Sequence, residues 1–84
     1  MKKLTVLKQL RAMSGFGQQE IANALKIERS TYTKWENKEK DLALSQITQI
    51  AAFYGLGPNA LTKMILDGYV SSPDVVASLI NKKI

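Results

Sequence analysis

The sequence predicts an all-α protein of six helices. Apolar residues recur at spacings of three and four in six separate segments, and no segment shows the period-two alternation of a half-buried strand. Glycine and proline stand between these segments and mark their ends. With 84 residues the chain has room for one domain with one hydrophobic core.

The first two helices are predicted within the first 25 residues. The first, of about nine residues, has an apolar side formed by Leu4, Val6, Leu7, Leu10 and Met13. Gly15 and Gly17 end it. The second helix spans residues 18–25 and is expected to bury Ile21, Ala22 and Leu25. Gly17 is its N-cap, and Glu20 three residues later supplies only the reciprocal half of a capping box.

The third helix follows a corner at residues 26–28 and runs from about Arg29 to Asn37. On a helical wheel, Tyr32 and Trp35 mark its inner face, where we expect them to pack into the core. Its polar side is formed by Ser30, Lys34 and Asn37, with Thr33 at the edge and Arg29 flanking them. This helix therefore combines one core-facing side with one polar side.

Three further helices are predicted after a charged loop at Lys38 to Asp41. The fourth ends at Gly55 and has an apolar side of Leu44, Ile47, Ile50, Ala51 and Tyr54. The fifth begins at Gly57-Pro58-Asn59, ends at Gly68 and packs Leu61, Met64 and Ile65. The sixth begins at Ser72-Pro73-Asp74, which supplies an N-cap, a first-turn proline and an acid near the positive helix end. It runs to about Lys83, with an apolar stripe of Val75, Val76, Leu79 and Ile80.

Composition argues against several classes of function. The chain has no cysteine and no histidine, and its seven carboxylates are scattered, so we expect no metal and no cofactor. The same absences leave no obvious nucleophile or general base for an enzyme. No apolar run approaches the roughly 20 residues that span a bilayer, and the N-terminus does not resemble a signal peptide. The expected location is the cytoplasm, with no membrane partner.

The excess positive charge lies in one half of the sequence. The net charge is +5, and residues 1–40 account for all of it with nine basic and four acidic residues. The remaining residues carry three of each sign. Such a distribution fits a nucleic-acid partner and fits an ordinary solvated surface equally well, so charge alone does not choose between them.

The segment FGQQEIANALKIERSTYTKWEN, residues 16–37, predicts two short helices joined by a tight corner, the second with an exposed polar side. This arrangement is typical of a helix-turn-helix that reads the DNA major groove. Over about residues 7–61 the sequence resembles the Cro and lambda-repressor-like helix-turn-helix family, also called the XRE family. The matching motifs are Leu10-Arg11, Gln18 with Glu20-Ile21-Ala22, Arg29-Ser30-Thr31, and Lys34-Trp35-Glu36-Asn37. The resemblance implies a lambda-repressor-like five-helix DNA-binding domain, placed at 1–68, and the sixth helix forms a separate C-terminal segment at 69–84, outside the part shared with the family.

The resemblance also implies roles for residues of the second and third helices. Base contacts are expected from Arg29, Ser30 and Lys34, with Thr33 a weaker candidate. Phosphate contacts are expected from Gln18, Asn37, Lys38 and Lys40, with Thr31 a weaker candidate. Arginine can bind guanine O6 and N7 in a fork, lysine can reach the same acceptors, and serine can donate or accept. The alternative is that the charged residues are ordinary exposed helix and loop charges, and that Ser30 contacts water or phosphate instead of a base.

A buried ion pair is a further implication of the resemblance. In many relatives an arginine of the first helix pairs with a glutamate at the end of the third, which implies a structural pair of Arg11 with Glu36. The alternative is a loose surface bridge worth about 0–1 kcal/mol.

The sequence departs from the family pattern at four positions. Lys26 and Lys38 stand where glycine is common, Gly17 replaces a hydroxyl cap, and Glu28 replaces serine or threonine. A left-handed backbone is unfavourable for a non-glycine residue, so the corner at Lys26 is expected to change its shape. Glu28 would repel phosphate unless it accepts a hydrogen bond from cytosine N4.

The resulting hypothesis is a transcriptional regulator, a dimeric repressor that reads a palindromic DNA operator through the major groove. The sixth-helix stripe is the expected dimerisation element, although it could instead fold back on its own domain. A phage switch protein, a restriction-modification controller and an antitoxin all remain open, and an antitoxin would use that helix to bind a toxin. The rival hypothesis is a small helical protein-interaction module that binds no DNA.

Overall fold

The computed structural model describes residues 4–70. This part of the chain contains five α-helices, one short 3-10 helix and no strand. The α-helices are α1 (Val6–Ser14), α2 (Gln18–Leu25), α3 (Arg29–Asn37), α4 (Leu44–Tyr54) and α5 (Pro58–Asp67). The 3-10 helix, Glu39–Asp41, lies between α3 and α4. The expected sixth helix, with its stripe of Val75, Val76, Leu79 and Ile80, lies outside the described residues.

One hydrophobic core takes side chains from all five α-helices. Its buried members are Val6, Leu7, Leu10, Ile21, Ala22, Tyr32, Ile47, Ile50, Ala51, Tyr54, Leu61, Met64 and Ile65. The α1–α2 link packs on the end of α4, because Phe16 meets Phe53 edge to face with ring centroids 4.9 Å apart. At one edge of the fold, Gln9 Nε2 donates to the carbonyls of Leu4 and Gly68, at 2.9 and 3.1 Å. The Gln9 side chain therefore links the backbone near both ends of the described residues.

Helix ends follow the local signals of the sequence at most positions. Gly15, Gly55 and Gly68 follow α1, α4 and α5 with left-handed backbones. Gly17 N–H donates to Glu20 Oε1 at 2.9 Å, which is the expected half of a capping box. The contact of Gly17 with Glu20 starts α2 at the predicted residue.

Three apolar residues assigned to helix faces are exposed instead. Leu4 precedes α1 and is 55% exposed, because Thr5 is the N-cap and its Oγ1 accepts from Lys8 N–H at 3.4 Å. Met13, in the last turn of α1, is 39% exposed. Leu44, the first residue of α4, is 68% exposed, although its spacing places it on the side of the helix that carries Ile47. The predicted apolar faces therefore extended too far at both ends of α1 and at the start of α4.

The expected charged loop contains the 3-10 helix, and one of its charges points inward. Glu39 is 7% exposed, with Oε2 accepting from Val6 N–H and Oε1 from Leu7 N–H, both at 3.0 Å. The first amides of a helix have no partner within the helix and carry its positive dipole end. The Glu39 carboxylate therefore caps α1 and joins the segment after α3 to the start of the domain.

The corner between α2 and α3 keeps a left-handed residue although that residue is lysine. Lys26 has φ 59° and ψ 42°, and Ile27 N–H donates to Ala22 O at 3.0 Å. The expected change of shape is therefore not seen at Lys26, where the backbone takes the conformation that glycine favours. This conformation is unfavourable for an L-residue by about 1–2 kcal/mol, which the packing of α2 against α3 offsets.

Candidate nucleic-acid interface

The polar side of α3 faces solvent, as the helical wheel predicts. Arg29, Ser30 and Lys34 are exposed, and Thr33 is half-buried. Together with Gln18 from the first turn of α2, these residues line one open concavity, which we call the reading surface. The corner places the N-terminus of α2 beside the N-terminal half of α3, where the Gln18 side chain contacts Arg29 and Thr33.

An ion pair between α1 and α3 lies behind the reading surface. Arg11 Nε donates to Glu36 Oε2 at 2.6 Å, and its Nη2 donates to Oε1 at 3.3 Å. The Glu36 side chain has no exposure, whereas that of Arg11 keeps 23%. The hydrogen bond to Glu36 raises the pKa of Arg11 above its ordinary value, so the guanidinium stays charged. This is the pairing expected from the sequence, and the carboxylate that takes part in it is buried.

Gln18 connects that ion pair to the reading surface. Its Nε2 donates to Glu36 Oε1 at 2.9 Å. Its Oε1 accepts from Arg29 Nε at 3.4 Å and from Thr33 Oγ1 at 3.3 Å. Sequence reasoning gave Gln18 a phosphate contact alone and missed this second set of partners, because hydrogen bonds across a corner leave no periodic pattern.

The hydroxyl of Thr33 is already engaged. Its Oγ1 donates to Arg29 O at 2.9 Å, one turn earlier in α3, in addition to its longer contact with Gln18. A threonine hydroxyl commonly makes this bond within a helix. Thr33 is therefore a weaker candidate for a base contact than its exposed neighbours, as the sequence already indicated.

The basic residues beyond α3 lie around a second concavity. Asn37, Lys38 and Lys40 line it together with Thr5, Glu39 and Asp41. Because Glu39 points into the fold to cap α1, the lysines on either side of it are left exposed. Thr31 is half-buried and lines neither concavity. The predicted site residues therefore divide into the reading surface and a separate lysine-bearing rim.

Two tyrosines pack in the core below the ion pair. Tyr32 of α3 has no exposure and Tyr54 of α4 has 1%. Burial raises the pKa of both phenols above the ordinary value, because the charged form would lose its hydration. Core packing is thus the role of Tyr32, and Trp35 packs partly buried against the same core.

Between residues 4 and 70, no three histidine, cysteine, aspartate or glutamate side chains come together as metal ligands would. In that range no helix combines the length and the apolar character needed to cross a bilayer.

Five short helices with an exposed polar third helix define a helix-turn-helix protein of the DNA-binding type. A family model described as a helix-turn-helix domain matches residues 6–69, so the chain belongs to that family. The match agrees with the resemblance to Cro and XRE-like proteins. Searches of curated proteins and of solved structures returned no match.

Proposed function

We propose that this protein is a sequence-specific double-stranded-DNA-binding transcriptional regulator that acts as a dimeric repressor by occupying its operator. The observation that carries the proposal is the reading surface, in which Arg29, Ser30 and Lys34 extend from an exposed helix face beside the N-terminus of α2. A helix fits the B-DNA major groove, which is about 12 Å wide. No catalysis is required for repression by occupancy.

The proposed base contacts follow from the donors on α3. The guanidinium of Arg29 and the ammonium of Lys34 suit guanine O6 and N7, which are both acceptors. Ser30 can donate or accept, and so it fits several bases. Thr33 contributes less, because its hydroxyl already donates to Arg29 O.

The proposed phosphate contacts surround the base contacts. The N-terminus of α2 presents free amides and the positive end of the helix dipole at Gln18, which suits a phosphate. Asn37, Lys38 and Lys40 reach the backbone from the rim beyond α3, and Thr31 adds a minor contact. Such contacts fix the orientation of the helix and carry no sequence information themselves.

The dimer is proposed from symmetry and from the C-terminal sequence. A two-fold dimer places two reading helices about 34 Å apart, in successive major grooves of a palindrome. The stripe of Val75, Val76, Leu79 and Ile80 is the proposed contact between the two copies, because an apolar helix face needs burial.

Selection of binding sites from random duplexes, followed by salt titration, tests the proposal. We expect one palindromic preference and a log K that falls with log salt by about 0.9 for each phosphate neutralised. Weak binding that does not change with salt would instead favour a protein-interaction module.

Two variants separate the roles of base and phosphate contacts. Arg29→Ala should relax the preference at one base position by about 1–3 kcal/mol. Lys40→Ala should weaken all sequences alike and reduce the salt slope by about one phosphate. An unchanged base profile in Arg29→Ala would refute its assignment.

A further inference from the structure

We infer that Glu39 is a positioning residue for DNA binding: by anchoring the 3-10 helix to the first amides of α1, it holds Lys38 and Lys40 in place for the phosphate backbone. The inference rests on the proposed function, because it concerns two of the proposed phosphate contacts. It gives a carboxylate that is buried in the fold a part in the binding of a polyanion.

The 3-10 helix has little of its own to fix its orientation. It contains three residues, Glu39–Asp41, and is closed by hydrogen bonds from Asp41 N–H to Lys38 O at 3.0 Å and from Leu42 N–H to Glu39 O at 3.3 Å. Helices of this kind stay short because their hydrogen-bond geometry is poor. Contacts outside the turn must therefore determine which way its side chains point.

Glu39 supplies those contacts. Its Oε2 accepts from Val6 N–H and its Oε1 from Leu7 N–H, both at 3.0 Å, so both carboxylate oxygens are held. Val6 and Leu7 begin a nine-residue helix, and both of their side chains lie in the hydrophobic core. A charged acceptor on the amides of a helix N-terminus makes strong hydrogen bonds. The anchor of the turn is therefore rigid.

The geometry of the turn transfers this anchor to the two lysines. A 3-10 helix has three residues per turn, so neighbouring side chains are about 120° apart around its axis. Glu39 is directed inward at 7% exposure, whereas Lys40 after it and Lys38 at the N-cap before it are exposed. A rotation of the turn that moved either lysine would break the bonds from Glu39 to α1.

Positioning and simple electrostatics predict opposite effects when Glu39 is replaced. Its negative charge lies between two proposed phosphate contacts, so loss of that charge alone should strengthen the binding of DNA. Loss of the anchor should weaken it, because a lysine on a mobile turn loses more conformational freedom when a phosphate holds it. The sign of the change in affinity separates the two effects.

Glu39→Gln is the variant that tests the inference. Glutamine keeps the length of the side chain, removes its charge and has one acceptor oxygen for two amides. The matched control is Asp41→Asn, which makes the same change of charge at an exposed position of the same 3-10 helix. Binding of each protein to a random-sequence duplex is measured over a series of salt concentrations, at a temperature where circular dichroism shows that all are folded.

We expect Glu39→Gln to bind more weakly and to reduce the fall of log K with log salt by about 0.9, which corresponds to one lost phosphate contact. Asp41→Asn should not reduce this slope. The inference is overturned if Glu39→Gln binds more tightly or keeps the wild-type slope, or if Asp41→Asn reduces the slope equally. In each of those cases the proposed function would still stand.

A double-mutant comparison makes the test independent of stability. Lys40→Ala should lower the salt slope by about 0.9 in the wild-type protein and by much less in Glu39→Gln, where the lysine has already lost its position. A fraction of unfolded protein lowers the apparent affinity and leaves the slope of the folded molecules unchanged. Equal losses of slope in both backgrounds would show that Glu39 does not position Lys40. A wild-type protein without salt-dependent duplex binding would overturn the proposed function, and this inference with it.

Discussion

Glu36 carries a buried negative charge whose stability depends on its partners. A carboxylate loses several kcal/mol of hydration on burial unless it is paired and hydrogen-bonded. Here the compensation comes from Arg11 and from Gln18, which approach from two other helices. The charge therefore fixes α3 relative to α1 and α2, and it adds little net stability beyond that.

Removal of Arg11 should show this dependence. We expect Arg11→Ala to lower the free energy of unfolding by about 3 kcal/mol, because it leaves Glu36 buried and short of donors. Lys8→Ala, on the same helix, should change it by less than about 0.5 kcal/mol. Urea melts of the two variants compare them directly, and equal midpoints would count against the pair.

Glu39 is a second inward-pointing carboxylate, and its partners are backbone amides. A glutamine at this position would keep one acceptor and turn its NH₂ group toward the other amide. We expect Glu39→Gln to destabilise the fold by about 1–2 kcal/mol, the usual value of a lost cap or of an unpaired buried donor. Asp41→Asn is the matched control, because Asp41 is exposed in the same 3-10 helix. Equal melting temperatures of the two variants would show that the Glu39 cap contributes no measurable stability.

At single positions, the sequence predicted the exposures and pairings that depend on nearby residues in the chain or on the family pattern. The exposure of Ser30 and Lys34 follows from the helical wheel, and the Arg11–Glu36 pairing follows from the resemblance. The role of Glu39 could not be predicted, because its partners lie 32 and 33 residues away and no local pattern marks them. The contact of Gln18 with Arg29 was missed for the same kind of reason, since it spans a corner.

At the scale of helices, the boundaries of α2 and α3 agree with the prediction, although only the start of α2, at Gly17, carries a local cap signal. The error at Leu4 arose where apolar spacing was extended past the start of α1, whereas Met13 and Leu44 lie inside their helices, close to an end. Spacing alone does not show which residue is the N-cap, whereas Thr5, a hydroxyl residue just before the helix, carried that signal. The corner at Lys26 shows tertiary packing overriding a backbone preference.

The burial of Tyr32 in α3 and Tyr54 in α4 predicts a loss of stability at alkaline pH. The raised pKa values of Tyr32 and Tyr54 mean that the folded state holds the phenol protons more tightly than the unfolded chain does. This contribution is complete below about pH 10 and is lost above it, by about 1.4 kcal/mol per tyrosine for each pH unit. Urea melts from pH 8 to 11 measure the loss.

Two phenylalanine variants identify the source of that loss. Tyr32→Phe should remove about half of the tyrosine contribution to the slope, because one of the two buried phenols is gone. Tyr69→Phe should leave the slope unchanged, because Tyr69 is 53% exposed. Identical slopes in the two variants would assign the alkaline loss to other groups.

At the scale of the whole molecule, the positive charge and the reading surface coincide. Among the described residues, Lys26, Arg29, Lys34, Lys38 and Lys40 are exposed on or next to α3. Composition predicted the charge excess in residues 1–40, and the fold shows that these five basic side chains are exposed. The base sequence that the surface prefers depends on side-chain geometry against DNA, which composition does not encode.

Oligomerisation is the remaining question at this scale. We expect the full chain to elute as a dimer at micromolar concentration and a variant lacking residues 72–84 to elute as a monomer, because the proposed apolar contact is removed. Size-exclusion chromatography with light scattering makes the measurement. A truncated chain that still elutes as a dimer would place the interface elsewhere.

The carboxylate cap on α1 also decides how much of this chain must be moved together when its helix-turn-helix unit is transplanted into another protein. A graft of residues 6–37 would include all of α1, α2 and α3 and would still start with two bare amides, because Glu39 would be left behind. A graft extended through Asp41 brings that acceptor with it. Any graft that contains α1 must therefore extend at least through Glu39.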